Sequence, residues 1–222
     1  MRSTSRLTLL AILAGTISFA GCTTLTRAPG EPSASVQKPA KADPPPKPVQ
    51  IEPPVTAESR QMYRQALTAL GAGRYPEAER ALLAVIGREP QLAGPRANLG
   101  ILYARTGRSA QALESLQQAI RLNPYRAAYY NELGMTLRRE GKFDEALRYY
   151  AKALELDPNY AYAHLNIGIL YDLYLQDTTK AMQHYQRYRE LTPSEAGTVT
   201  KWIADLQQRD RAAQQAKGGK SG

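Results

Sequence analysis

Few residues of this 222-residue chain could do chemistry, and they do not converge. Cys22 is the single thiol, and His164 and His184 are the only imidazoles. One cysteine cannot close a disulfide within the chain or supply a zinc site that needs two or more thiolates, and two histidines are too few for a site built mainly on imidazole. His164 falls at the fourth position of a helical unit, where packing is expected. His184 lies on another helix with no partnered His or acid at metal-ligand spacing. No serine sits in a nucleophile-elbow context, and Gly71-Ala72-Gly73 reads as a turn between helices rather than a phosphate cradle. Asp144-Glu145 starts a helix rather than forming a carboxylate pair. The chain is therefore expected to have no enzymatic activity, cofactor, metal or small-molecule substrate.

Cys22 gains meaning from the residues before it. Arg2 and Arg6 lead into an apolar run from Leu7 to Ala20, and then Gly21. The run is shorter than the roughly 20 apolar residues of a spanning helix and has the layout of a secretory signal. Phe19-Ala20-Gly21-Cys22 resembles the bacterial lipoprotein signal, with Phe19 where leucine is usual. That resemblance implies removal of residues 1–21 and acylation of Cys22, the lipidation residue. The other reading of the same residues is an ordinary cleavage site and a free thiol. In the lipoprotein reading, Thr23 and Thr24, rather than an aspartate, after the cysteine imply the periplasmic face of the outer membrane of a Gram-negative cell. Two or three acyl chains exceed the threshold for stable anchoring that one chain misses.

Residues 22–57 carry nine prolines, three lysines and almost no large apolar side chains. Such a composition cannot offset the entropy of ordering, so a disordered tether is expected. Extended, it would reach on the order of 100 Å. Beyond it, Pro90, Pro124 and Pro158 are spaced by 34 residues, and Pro193 comes 35 later. The register divides residues 58–195 into four units: 59–92, 93–126, 127–160 and 161–195. The third unit reads Tyr130, Leu133-Gly134, Leu137, Gly141, Ala146, Tyr150, Ala153, Pro158. The second reads Leu99-Gly100, Tyr103, Gly107, Ala112, Leu116, Ala119, Pro124. Both resemble the tetratricopeptide repeat, as does the period. The resemblance implies an all-α, right-handed superhelix of four helix-turn-helix units.

Within a unit, the small residues Ala66, Gly100, Gly134 and Gly168, with Ala78, Ala112, Ala146 and Ala181 opposite them, are expected to let the two helices approach closely. Ser109 and Asp144 are expected to cap second helices, and Pro76 to sit in a first turn. The fourth unit carries a one-residue insertion around Leu175 to Thr179. Val199, Trp202, Ile203 and Leu206 recur at i, i+3, i+4 and i+7, which predicts a capping helix over residues 196–213, with a disordered tail over 214–222.

The resemblance assigns a concave surface to fixed positions of each unit. Here these are Tyr63 and Leu67; Ala97, Ile101 and Arg105; Asn131, Met135, Arg138 and Arg139; and Tyr162, Leu165 and Ile169. No carboxylate-clamp pair of lysine and asparagine is present among them. The strip suits an apolar helix or an extended segment, with arginines for acidic groups, although Leu67, Ile101 and Ile169 could equally pack between units. Tyr125, Tyr129, Tyr160 and Tyr162, at junctions and edges, either anchor a partner or pack.

The net charge of +9 becomes +7 once residues 1–21 and their two arginines are removed. The remaining basic residues are spread over linker, turns and tail, so nucleic acid is not an expected partner. A lipid-anchored repeat protein of this kind resembles PilF/Tgl-type pilus biogenesis lipoproteins, TadD-type proteins and NlpI-like adaptors that recruit peptidoglycan hydrolases or proteases. Tyr171-Asp172-Leu173-Tyr174-Leu175-Gln176-Asp177, with Lys201-Trp202-Ile203-Ala204-Asp205-Leu206, resembles the repeat proteins that accompany TonB/ExbBD-like transport systems. Those resemblances imply a protein-interaction scaffold of the cell envelope, with pilus or secretin assembly as the first expectation.

Overall fold

A computed structural model describes residues 55–218, leaving aside the side chains of Ala213 and of 216–218. The signal, Cys22 and the tether as far as residue 54 lie outside the described residues, as does the end of the tail. All regular structure among the described residues is helical: α1 (Ala57–Gly71), α2 (Tyr75–Arg88), α3 (Ala93–Arg105), α4 (Ser109–Leu122), α5 (Ala127–Arg139), α6 (Phe143–Leu156), α7 (Ala161–Leu170), α8 (Thr178–Leu191) and α9 (Gly197–Gly218). Consecutive helices pair as hairpins, α1 with α2 through α7 with α8, and each hairpin stacks on the next. None of the described helices is long and apolar enough to cross a membrane.

The expected close approach is present within each hairpin. A methyl group built on Gly134 would lie 2.6 Å from the Tyr150 ring and 3.1 Å from the Ala146 carbonyl oxygen, and one on Gly100 would lie 2.7 Å from Leu116. Gly168 stands against Tyr185 in the same way. Ala66, Ala78, Ala112, Ala146 and Ala181 are fully buried. Burying small residues at these positions is what lets two backbones pack with no side chain between them.

The turns explain why the expected caps are not used. Gly73, Gly107 and Gly141 have φ of 73°, 77° and 73° with open space around the missing Cβ. They are present for conformation rather than close packing. Each forms a Schellman turn. The next residue's N–H closes on a carbonyl five residues back: Arg74 on Ala69 at 2.9 Å, Arg108 on Tyr103 at 2.8 Å and Lys142 on Leu137 at 3.0 Å. Arg74, Arg108 and Lys142 thereby become the N-cap residues of the second helices, without a side-chain capping bond. Ser109 and Asp144, expected as caps, instead lie inside the first turn. Pro76 occupies the first turn of α2 as expected.

The inserted residue of the fourth hairpin is absorbed slightly upstream of its expected place. α7 runs into a π-helical turn over Tyr171–Leu175, closed by the Asp177 N–H on the Tyr171 carbonyl at 3.0 Å. A single extra residue in a helix produces this wider turn. Gln176, at φ 54°, takes the left-handed place that glycine holds in the other hairpins, and Asp177 caps α8 through the Lys180 N–H at 3.0 Å. Helix α9 runs to Gly218, past residue 213 where the sequence pattern ends it. Its Gln- and Ala-rich end contains no helix breaker before that glycine.

Candidate functional site

The helices α1, α3 and α5 present their open sides to a groove of about 570 Å³. It is lined by Tyr63, Ala97 and Ile101 of the expected strip, together with Arg60, Asn98, Arg126, Tyr129 and Glu132. Val55, two residues before the start of α1, forms part of its wall. The groove combines aromatic and aliphatic surface with two arginines, Arg60 and Arg126, that form no ion pair among the described residues. It can therefore receive an apolar side chain and a carboxylate from one segment.

Side chains from successive units meet across this face. Asn98 donates to the Tyr63 hydroxyl oxygen, and Asn166 donates to the Asn131 Oδ1 at 2.9 Å, each link joining residues 35 apart. At 2 % exposed, Asn131 thus belongs to the packing between α5 and α7 rather than to an open wall.

The equivalent position on α5 is Glu132. Burial raises its carboxyl above the usual range, while the charges of Arg139 and Arg105 pull it back. Such a raised group is a cost to the fold at any pH where it is ionised, and the cost disappears once pH falls below the ordinary carboxylate range. Glu132→Gln is therefore expected to raise Tm at pH 8 by on the order of 2–4 °C, the shift that about 1 kcal/mol gives in a domain of this size. The gain should vanish by pH 4, as thermal melts at both pH values would show.

The other expected groove residues divide. Arg105 and Arg139 are exposed and flank Glu132, and Arg139 also donates to the Ala104 carbonyl at 3.2 Å. Leu67 remains open at 39 %. Met135 is half-buried, its sulfur 3.6 Å from the Asn131 amide nitrogen, and Arg138 is half-buried with its Nε out of contact with solvent. In the fourth unit the strip is not open. Leu165 and Ile169 pack against the cluster of Tyr185, Tyr188, Val199, Ile203 and Leu206 built by α8 and α9. Tyr162 is 47 % exposed, but its hydroxyl donates to Glu195 at 3.3 Å. The expected strip along four units is thus a groove across three, ending where the fourth turns its apolar positions toward the cap.

Asn98, Glu132 and Asn166 were legible as a family of polar residues at the sixth position of units two, three and four. A repeat-aligned reading of polar positions would have found them, but an apolar pattern does not. The histidines also differ from expectation. His164 on α7 and His184 on α8 face each other with their Nδ1 atoms 3.1 Å apart, a pairing across two helices that linear spacing conceals. Burial lowers both imidazoles. The neighbouring ring adds to the effect on His184, which falls to about 4. Among the described residues, no group of three or more His, Cys, Asp or Glu side chains is placed to hold a metal.

A family model described as tetratricopeptide repeat matches residues 63–127, 97–160 and 131–196. No curated protein sequence matches. Among solved structures, PilF of Pseudomonas aeruginosa is similar at a TM-score of 0.64 and 21 % identity, over 70 % of each chain. TTC0263, a thermophilic repeat protein of Thermus thermophilus, is similar at a TM-score of 0.60 and 23 % identity, over 68 % of this chain and 81 % of that one. A mutant O-GlcNAc transferase of Thermobaculum terrenum matches at a TM-score of 0.56 and 25 % identity over 61 % of this chain. The chain spans only 27 % of that transferase.

Proposed function

Because the chain belongs to the tetratricopeptide-repeat family, a family of protein-interaction scaffolds, we propose that it is a lipid-anchored scaffold at the periplasmic face of the outer membrane. In this reading Cys22 carries the acyl chains, the proline-rich segment spans from the membrane, and the groove across the first three units binds a helical or extended segment of an envelope-complex protein. Pilus or secretin assembly is the process it serves. The observation that carries the binding role is the groove itself, open, mixed apolar and aromatic, with Arg60 and Arg126 on its wall. Support for the anchor comes from the Phe19-Ala20-Gly21-Cys22 sequence.

Two substitutions test the two halves separately. Cys22→Ser should release the protein from the outer-membrane fraction into the soluble periplasm; tight membrane association in that variant would defeat the lipid anchor. Ile101→Glu places a charge in the groove on a half-buried wall residue. It should reduce secretin multimers at least tenfold while the circular dichroism spectrum stays helical. Unchanged multimers in both this variant and the gene deletion would defeat the assembly role.

A further inference from the structure

We propose that His164 and His184 form a binding site for a borderline divalent transition-metal ion, with Cu²⁺ held most tightly, in which their two Nδ1 atoms are the protein ligands and water completes the coordination. The two Nδ1 atoms, one from α7 and one from α8, stand 3.1 Å apart, with ring centroids 5.2 Å apart and planes inclined by 37°. For metal–nitrogen bonds of about 2.05 Å, that span subtends about 98° at the ion. This lies between the square-planar and tetrahedral angles, so the separation matches a cis pair on one ion, and binding needs the rings to turn modestly from their hydrogen-bonded arrangement so that both lone pairs converge.

One ring is already oriented for the task. His164 Nε2 lies 3.1 Å from the Pro158 carbonyl oxygen. A carbonyl can only accept, so Nε2 carries the hydrogen and Nδ1 presents its lone pair. Metal-ligating imidazoles are typically held by such a bond on the remote nitrogen. Without metal, His184 donates its Nδ1–H to that lone pair. Binding requires His184 to lose the Nδ1 hydrogen to solvent and gain one on Nε2, a tautomer change with no net proton transfer.

The cations nearest the pair are engaged by other groups. On the α8 side, the Tyr171 ring stacks on His184 at 6.2 Å, and Lys180 sits over Tyr171 rather than over the imidazole. Near His164, Arg187 is occupied by Glu190 at 2.8 Å and by the Asn159 side chain at 2.7 Å. Two imidazoles and water make an exchangeable site rather than a structural centre, and the affinity order should run with Cu²⁺ above Ni²⁺ and Zn²⁺.

The test uses the full chain without a histidine tag, carrying Cys22→Ser throughout so that the thiol does not compete. Titration with copper sulfate should show one saturable equivalent, and the electron paramagnetic resonance spectrum should show two imidazole nitrogens coupled to copper. His164→Gln and His184→Gln should each weaken binding at least tenfold and remove one nitrogen coupling, with the helical dichroism retained. Absence of saturable binding, or affinity unchanged in both variants, would overturn the site. Should a variant unfold, the parent spectrum decides alone, because copper bound without two coupled nitrogens contradicts the proposal.

Discussion

Gly134→Val is expected to lower Tm by about 10 °C, a loss of roughly 3–4 kcal/mol in a domain of this size. Even the first carbon of the new side chain would sit 2.6 Å from the Tyr150 ring and 3.1 Å from the Ala146 carbonyl oxygen. Tyr150 is fully buried, so its ring cannot swing away, and the carbonyl belongs to the facing helix. The helices α5 and α6 must therefore separate, and the loss spreads into the cluster that includes Leu116, Leu133, Leu137 and Ile167. Gly141→Ala supplies the contrast. It meets nothing within 4 Å, yet it must hold φ at 73°, which costs about 1–2 kcal/mol for an L side chain. Tyr150→Leu should recover part of the Gly134→Val loss by clearing room, and recover none of the Gly141→Ala loss. Equal loss at the two glycines, or no coupling between Gly134 and Tyr150 in the double mutant, would mean that close packing is not what position 134 serves.

The same two glycines show how much of the fold could be read in advance and where reading stopped. The 34-residue period and the small residue at the eighth position recur across all four units and the turn glycine in three of them, so the copies reinforce one another. Ser109 and Asp144 do not cap their helices because the Schellman turn formed by the preceding glycine already places the N-cap one residue before Ser109, at Arg108, and two before Asp144, at Lys142. The groove was partly legible. Tyr63, Ala97 and Ile101 line it, but Leu165 and Ile169 do not, since whether an apolar position stays open depends on the element that closes the array. The apolar stripe of α9 was visible, yet nothing in a stripe tells which partner residues it covers. The histidine pair was hidden for a similar reason: contact between α7 and α8 is set by the hairpin, and a spacing of 20 residues with an insertion between them has no fixed geometry in sequence.

Ending the chain after Glu195 is the second large perturbation, with an expected fall in Tm of about 10 °C. It would remove Val199, Ile203 and Leu206, which are 3 %, 3 % and 0 % exposed. Each contributes roughly 2 kcal/mol by burial, and the extended-chain reference makes their sum an upper figure. The entropy regained by no longer ordering α9 offsets part of that. The remaining loss is concentrated on one hairpin, because units in such an array interact only with their neighbours. Tyr185 and Tyr188 would lose the cover of α9, leaving an apolar end face. Hydrogen exchange should accordingly rise in α7 and α8 far more than in α1 and α2, and the truncated chain should bind an apolar dye. Arg209→Ala separates the apolar contribution from the ionic one. It breaks the 3.2 Å contact with Asp172, whose side chain is only 8 % exposed, so the change should be about 1–2 kcal/mol, the cost of leaving a buried acceptor one partner short. Asp172 would still accept from the Tyr185 hydroxyl at 3.3 Å. If the arginine variant were as damaging as the truncation, the end of the array would be held by charge rather than by the apolar stripe; if neither mattered, α9 would not be its cap.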